Sequence, residues 1–277
     1  MDQMKLYTFW EGAAPSVYLK ACVATWYSHF PELELTIIDH SNMGEWLEDL
    51  LPVSEVKKLS FAMQSDVVSA AVLSKVGGVF VDIDTIVTGE RARSFMLPKD
   101  ERLHCFGISP ESGFHLALLS SSGPNQLARF WVDQIARRLS PLPGKYEWSH
   151  VGNAPLSDIL KSMDTKDLIK VLDKNKYGVI LETSLGVKAH PMELYRRIWF
   201  EETKYADLNY RNVAIADLML LHNSWTPKWV KEITSIPVLL SKDNLFSSVI
   251  CDSMDVSRFD MSSVPVKFRL DGDSHEF

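Results

Sequence analysis

SDVVSAAVLSKVGGVFVDIDTIVT, residues 65–88, is the stretch whose reading decides the fold. It reads as the end of an apolar helix, a break at Gly77-Gly78, an apolar strand over residues 79–83, and Asp82-Ile83-Asp84 at the end of that strand. Side chains alternate along a strand, so carboxylates at i and i+2 are expected on one face of the sheet. They arrive where open α/β sheets place their ligands. Two acids held so close repel each other unless something positive lies between them. A hard divalent ion such as Mn2+ or Mg2+ fits, because it takes carboxylate oxygens and usually a substrate phosphate as well.

Outward from this stretch, residues 5–10 read as a short apolar strand ended by Glu11-Gly12. Pro15 and Ser16 open a helix that runs to about Phe30, with Pro15 suited to a first helical turn. Residues 33–39 read as a second strand, closed by His40-Ser41-Asn42. Val56, Leu59, Met63, Val67 and Ala70 recur at three and four, which predicts one long helix ending at Gly77-Gly78. Strands alternating with helices imply an α/β protein with a mixed, mainly parallel sheet covered on its faces. No GxGxxG or GxxxxGK[ST] loop is present.

The second half is less regular. Residues 103–108 and 115–120 read as strands, 124–139 and 158–172 as helices, and 177–182 and 187–191 as short strands. Residues 194–205 form an aromatic, charged segment, and residues 213–222 an apolar strand that stops at His222-Asn223-Ser224-Trp225. Asn153 falls near an expected loop tip. The expectation is a single domain over residues 1–277, with a first half at 1–90 that resembles a nucleotide-binding α/β half, a second half at 91–250 and a polar tail at 251–277.

Composition narrows the function. The chain has 277 residues, 46% of them apolar and 23% charged, an ordinary globular mixture. The net charge of −7 and the lack of a basic stripe argue against nucleic acid as a partner. The three cysteines match no zinc or redox spacing, which suits a reducing compartment. No basic segment followed by an apolar one opens the chain, so no secretory signal is expected. The apolar run at 213–221 is short and holds Asp217, so a cytoplasmic protein with at most peripheral membrane contact is expected.

Two families place Asp-x-Asp at a strand end. In the haloacid-dehalogenase-type phosphohydrolases the motif opens the fold, whereas here about 80 residues precede it. Ile86 stands where that pattern wants Thr or Val, and Asp271-Gly272-Asp273 lies too near the end to supply the later acidic pair. The other family is the sugar-nucleotide glycosyltransferases. Ser65-Asp66, Leu73, Gly77-Gly78, Phe80, Asp82 and Asp84 resemble the DXD-containing enzymes related to yeast-type mannosyltransferases, bacterial capsular polysaccharide synthesis proteins and clostridial glucosylating toxins. Phe9-Trp10-Glu11-Gly12, Asp39-His40-Ser41-Asn42 and His222-Asn223-Ser224-Trp225 extend the resemblance. Ser69 stands where these enzymes usually carry an arginine, and Phe80 where a tyrosine is common.

The resemblance implies a GT-A-like fold and retaining transfer of a hexose from a nucleoside diphosphate sugar, a UDP-sugar foremost. It implies a glycan or lipid-linked acceptor in surface polysaccharide synthesis, with a protein acceptor as an alternative and phosphohydrolysis as the rival chemistry. It implies catalytic roles for Asp66, Asp84 and Trp225, and metal ligation by Asp82, Asp84 and His222. It also implies substrate contacts from Trp10, Asn42, Ser65, Asp66, Asp82, Ser224 and Trp225.

Overall fold

The computed structural model describes residues 4–109, 113–139, 146–147, 149–173, 177, 191–201, 217–254 and 264–268. Its strands are β1 (Met4–Phe9), β2 (Leu33–Ile38), β3 (Gly78–Val81), β4 (Thr85–Val87), β5 (Leu103–Ser109), β6 (Gly113–Ser121), β7 (Ile169–Leu172) and β8 (Leu218–Leu220). The chain divides into two compact units that interleave along the sequence. The first comprises Met1–Gly12, Glu34–Asp82 and Arg93–Asp173; the second comprises Ala13–Leu33, Ile83–Ala92 and Lys174–Phe277.

The first unit is built on a six-stranded sheet in the order β2-β1-β3-β6-β5-β7. β1 pairs with β3, and β5 with β7, in parallel, while β6 runs antiparallel to both of its neighbours. Only a few residues separate β5 from β6, too few for a crossover, so β6 must return alongside. The mixed α/β sheet expected from the sequence is therefore present. Against it lies the helix Phe61–Lys75, which packs on β1, β3 and the helix Gln126–Arg138. Val67, Val68, Ala70, Ala71, Val72 and Leu73 of that helix are all fully buried, so it is apolar nearly all round. Each such Val or Leu contributes about 1.5–3 kcal/mol by leaving water.

The long helix expected from the three-and-four spacing is broken. Val53–Val56 is a separate turn, and Ser60 starts the main helix by accepting a hydrogen bond from the Met63 N–H at 3.4 Å. An N-cap serine satisfies a helix end that periodicity alone cannot reveal. The helix expected over 158–172 is likewise corrected: the helix is Asn153–Ser162, and β7 follows as an edge strand beside β5. The strands expected at 177–182 and 187–191 fall almost wholly outside the described residues. Of the strand expected at 213–222, residues 218–220 form β8 and 213–216 lie outside the described residues.

Gly77 explains how β3 starts. Its φ is +71°, and a Cβ there would lie 2.3 Å from the backbone oxygen of Gly123. Only glycine meets both demands. The double glycine thus serves the turn from helix into β3 and the close pass of the chain around Gly123.

The second unit holds a two-stranded ribbon of β4 and β8, paired antiparallel with Thr85 opposite Leu220. The helix Val17–His29 is stitched to β4 by side chains. The Trp26 indole N–H donates to Thr85 O at 2.7 Å, and the Val87 N–H donates to Thr25 Oγ1 at 3.0 Å. Buried Asp217, at the foot of β8, pairs with Arg91 at 2.7 Å.

One buried group ties stability to pH. His104 on β5 is 3% exposed, and its Nε2 lies 3.0 Å from Asp100 Oδ1. Burial holds the imidazole below its ordinary pKa, against the pull of Asp100. The folded state therefore takes up a proton less readily than the unfolded chain. Its contribution is complete above the unfolded pKa of about 6.5 and is lost progressively as pH falls below that value. Urea unfolding from about pH 7.5 down to about pH 5.5 is expected to show falling stability, with a shallower slope in His104→Gln. Equal slopes would assign the loss to other groups.

Candidate active site

In the first unit, β3 ends at Val81, and the Asp82 N–H still pairs with Ala117 O of β6 at 2.9 Å. Asp82 therefore stands at the tip of a central strand. The Ser65 hydroxyl donates to Asp82 Oδ1 at 3.1 Å. One residue along the same helix, half-buried Asp66 carries the most perturbed carboxyl of the site. Desolvation, and then the charge of Asp82, raise its pKa well above the ordinary value. Among the described residues nothing hydrogen-bonds the Asp66 carboxyl. A Cβ at Gly152 would lie 2.5 Å from Asp66 Oδ2, so any larger residue there would have to displace the Asp66 carboxyl. Buried Trp131 holds that pass in place, its indole N–H donating to Val151 O at 2.7 Å.

At the ends of β1 and β2 a second set of groups closes in. The Trp10 N–H donates to Ile38 O at 3.0 Å, and the Trp10 ring is half-buried. Glu11 accepts from the His40 N–H at 2.7 Å and from the Gly12 N–H at 2.9 Å, and these bonds hold its carboxyl below the usual range. His40 Nε2 lies 2.7 Å from Oε1 of buried Gln64, whose amide in turn donates to Leu59 O at 2.8 Å. Glu11, His40 and Gln64 thus tie the loops after β1 and β2 to the helix turn that carries Ser65 and Asp66. Asn42 closes the turn after β2. Its amide donates to Ile37 O and accepts from the Asp39 N–H, each at 2.9 Å, so this side chain is committed to backbone.

In the second unit, Asp84 opens the ribbon and is only 7% exposed. The ladder of β4 and β8 continues one step past the strands, with the Leu221 N–H donating to Asp84 O at 3.2 Å. That pairing delivers the following loop to Asp84, and the Asn223 N–H donates to Asp84 Oδ2 at 2.5 Å. The loop is a tight turn, with the N–H groups of Trp225 and Thr226 both donating to His222 O. The His222 and Trp225 rings lie 4.2 Å apart. Ser224 is exposed, and His222 and Trp225 are half-buried. Buried Tyr18 donates its hydroxyl to Asn223 Oδ1 at 3.1 Å. Burial and the Asp84 charge push the Tyr18 phenol up. Lys231 is pushed down by burial and by Arg196, with Asp84 opposing.

One expectation is corrected here. Asp82 and Asp84 are not alternate residues of one strand, because β3 stops at Val81 and Asp84 leads into a different sheet. The period-two rule that would put them on one face does not reach them. Ser69 is fully buried, and its hydroxyl donates back to Asp66 O at 2.8 Å. Among the described residues no three His, Cys, Asp or Glu side chains converge to hold a metal. The carboxylate of Asp82 in the first unit and that of Asp84 in the second are each of the donor type Mn2+ or Mg2+ takes, ions that keep several water or phosphate ligands and need only one or two carboxylates. The raised pKa of Asp66 comes first from desolvation and second from the charge of Asp82, costs that a hydroxyl-bearing ligand or a cation would offset.

Residues 2–100 match the family model described as the glycosyltransferase sugar-binding region containing the DXD motif. The matched residues, about the first third of the chain, are similar to that sugar-binding region and include Asp66, Asp82 and Asp84. No curated protein matches it. Among solved structures it is similar to the PaToxG glycosyltransferase, at 15% identity and a TM-score of 0.40, over 60% of this chain and 73% of that one. It is also similar to the apo-form glycosyltransferase GlyE of Streptococcus pneumoniae TIGR4, at 10% identity and a TM-score of 0.46, over 90% of this chain and 62% of that one. The chain therefore spans under two thirds of the GlyE structure.

Sequence reasoning found the acids and the His222–Trp225 turn but missed their supports. Glu11 and His40 lay inside quoted motifs without a supporting role of their own, and Tyr195 lay in the aromatic segment without a link to the turn; Gln64, Gly152 and Tyr18 carried no local signal. The Asp66 environment makes a direct prediction. Asp66→Asn removes a charge that the ligand-free fold disfavours, so it is expected to raise the melting temperature by a few degrees without metal or nucleotide. A lower melting temperature would show that Asp66 supports the fold instead.

Proposed function

We propose that this protein is a glycosyltransferase that moves a hexose from a UDP-sugar to a hydroxyl of a glycan or lipid-linked acceptor, with retention and with Mn2+ or Mg2+, in surface polysaccharide synthesis. The carrying observation is the desolvated Asp66 carboxyl, without a hydrogen-bond partner among the described residues, inside a DXD sugar-binding region. A carboxylate in that state gains most from hydroxyl donors, and a hexose supplies several. In this reading Asp66 accepts hydrogen bonds from the donor sugar. Ser65 holds Asp82 in place for the ribose or for a water of the ion. Trp10 stacks on the base, and Asn42 shapes the turn beside it.

Asp84 and His222 are the assigned ligands in the second unit, with Asp82 contributing through water. When bound, the ion supplies Lewis-acid stabilisation of the departing diphosphate. The hydroxyl of Ser224 and the indole N–H of Trp225 donate to diphosphate oxygens as charge builds there. The bond from the anomeric carbon to the diphosphate breaks, a bond from the acceptor oxygen forms on the same face, and the acceptor proton leaves with the diphosphate. No helix among the described residues is long and apolar enough to cross a membrane. We place the enzyme in the cytoplasm, with at most peripheral contact to a membrane that carries its acceptor.

The test is incubation with Mn2+ and a panel of nucleotide sugars, reading release of the nucleoside diphosphate. Release that depends on both metal and one donor is expected. Asp84→Asn is expected to lower it on the order of a thousandfold. Its melting curve should stay close to that of the parent, because asparagine keeps an oxygen acceptor for the Asn223 N–H. Phosphate release from simple phosphomonoesters with no donor preference, or full turnover by Asp84→Asn, would contradict the proposal.

A further inference from the structure

Tyr195 belongs to the helix Pro191–Arg196, and its side chain is fully buried. Its hydroxyl lies 2.9 Å from Thr226 Oγ1 and accepts from the His222 N–H at 3.2 Å. It therefore touches both ends of the turn that carries Asn223, Ser224 and Trp225. Thr226 Oγ1 also contacts His222 O at 3.1 Å, which closes a small ring of hydrogen bonds around the turn. The Tyr195 ring meets the His222 ring edge-on at 5.2 Å and the Trp225 ring at 6.0 Å. The next residue, Arg196, donates from Nε to Trp225 O at 2.7 Å.

The support behind Tyr195 is buried and apolar. Directly after its helix comes a π-helical turn, Arg197–Glu201, which buries Ile198, Trp199 and Phe200. Phe200 packs on Tyr195 at 5.7 Å and on Phe246 at 5.6 Å. A phenylalanine would fill the same space at position 195, so packing alone does not call for a hydroxyl there. A buried hydroxyl costs free energy unless it is paired, and here it pairs with Thr226 and His222 of the 222–226 turn. If the turn swings away, both of these contacts are lost. The hydroxyl thus favours the arrangement of the turn that presents Ser224 and Trp225.

We propose that Tyr195 is a positioning residue, whose hydroxyl holds the His222–Thr226 turn in the arrangement that receives the donor diphosphate. It touches neither donor nor ion and acts only through the turn. This rests on the proposed function for the identity of the ligand, while the ordering of the turn is a property of the ligand-free protein and is tested separately.

The test uses Tyr195→Phe, Thr226→Val and the double variant. Protein labelled with 5-fluorotryptophan gives a fluorine NMR line for Trp225, assigned with Trp225→Phe. Without ligand, Tyr195→Phe is expected to shift or broaden that line while the melting temperature stays near that of the parent. Binding of UDP together with Mn2+, by calorimetry, is expected to weaken about tenfold or more in each single variant. The double variant should be weaker by less than the two single losses combined, because both variants remove the Tyr195–Thr226 contact. An unchanged Trp225 line, or UDP and Mn2+ affinity within about twofold of the parent, would overturn the positioning role. If the parent protein fails to bind UDP with Mn2+, the proposed function falls, and the Trp225 line alone then decides whether Tyr195 orders the turn.

Discussion

The Asp66 carboxyl is held where water is scarce and where the charge of Asp82 opposes its own. A folded chain keeps such a group only if something else compensates, since a desolvated carboxylate costs free energy that its neighbours must offset. The compensation on the protein side is geometric. Gly152 leaves the Asp66 oxygen its space, Ser65 steadies Asp82, and the helix carrying Ser65 and Asp66 is locked by the buried faces of Val67, Val68 and Leu73. The remaining compensation is assigned to the ligand. In the proposed reading the site is poised, with stability given up in the free protein and recovered when donor hydroxyls and a cation bind.

The two units prepare their groups by different means. In the first, a parallel strand end and a helix turn present short acidic side chains from rigid elements, and the Glu11, His40 and Gln64 chain of hydrogen bonds sets the loops beside them. In the second, the key element is a turn with little regular structure. The β4 and β8 ladder, Tyr18 and Tyr195 fix it through contacts to Asp84, Asn223, His222 and Thr226. A loop held by satisfied buried hydrogen bonds is nearly as well defined as a strand, yet it can release when those bonds break.

Much of the first unit was legible because its signals are local. Gly77-Gly78 marks a turn whose φ only glycine adopts easily, the apolar run after it marks a buried strand, and the acids stand out at its end. The helix break at Ser60 was hidden because the apolar spacing continues across it, and the cap depends on one side-chain oxygen. The sheet change after Val81 was hidden because β4 is three residues long and finds its partner 135 positions away, Thr85 with Leu220. That change is why the strand-period argument misplaced Asp84. The supports of the turn were hidden for the same reason: Tyr18 meets Asn223 across 205 positions and Tyr195 meets Thr226 across 31. Such pairings leave no periodic trace, whereas the residues they hold in place, His222 and Trp225, are readable as a motif.

Because the described side chains build no three-ligand cage, the account requires the ion and the diphosphate to bind together, each supplying ligands to the other. Titration of Mn2+ followed by electron paramagnetic resonance, with and without UDP, tests this most directly. The account predicts weak Mn2+ binding to the protein alone and binding at least about tenfold tighter once UDP is present, with the gain abolished in Asp84→Asn. Mn2+ affinity that is the same with and without UDP would contradict it.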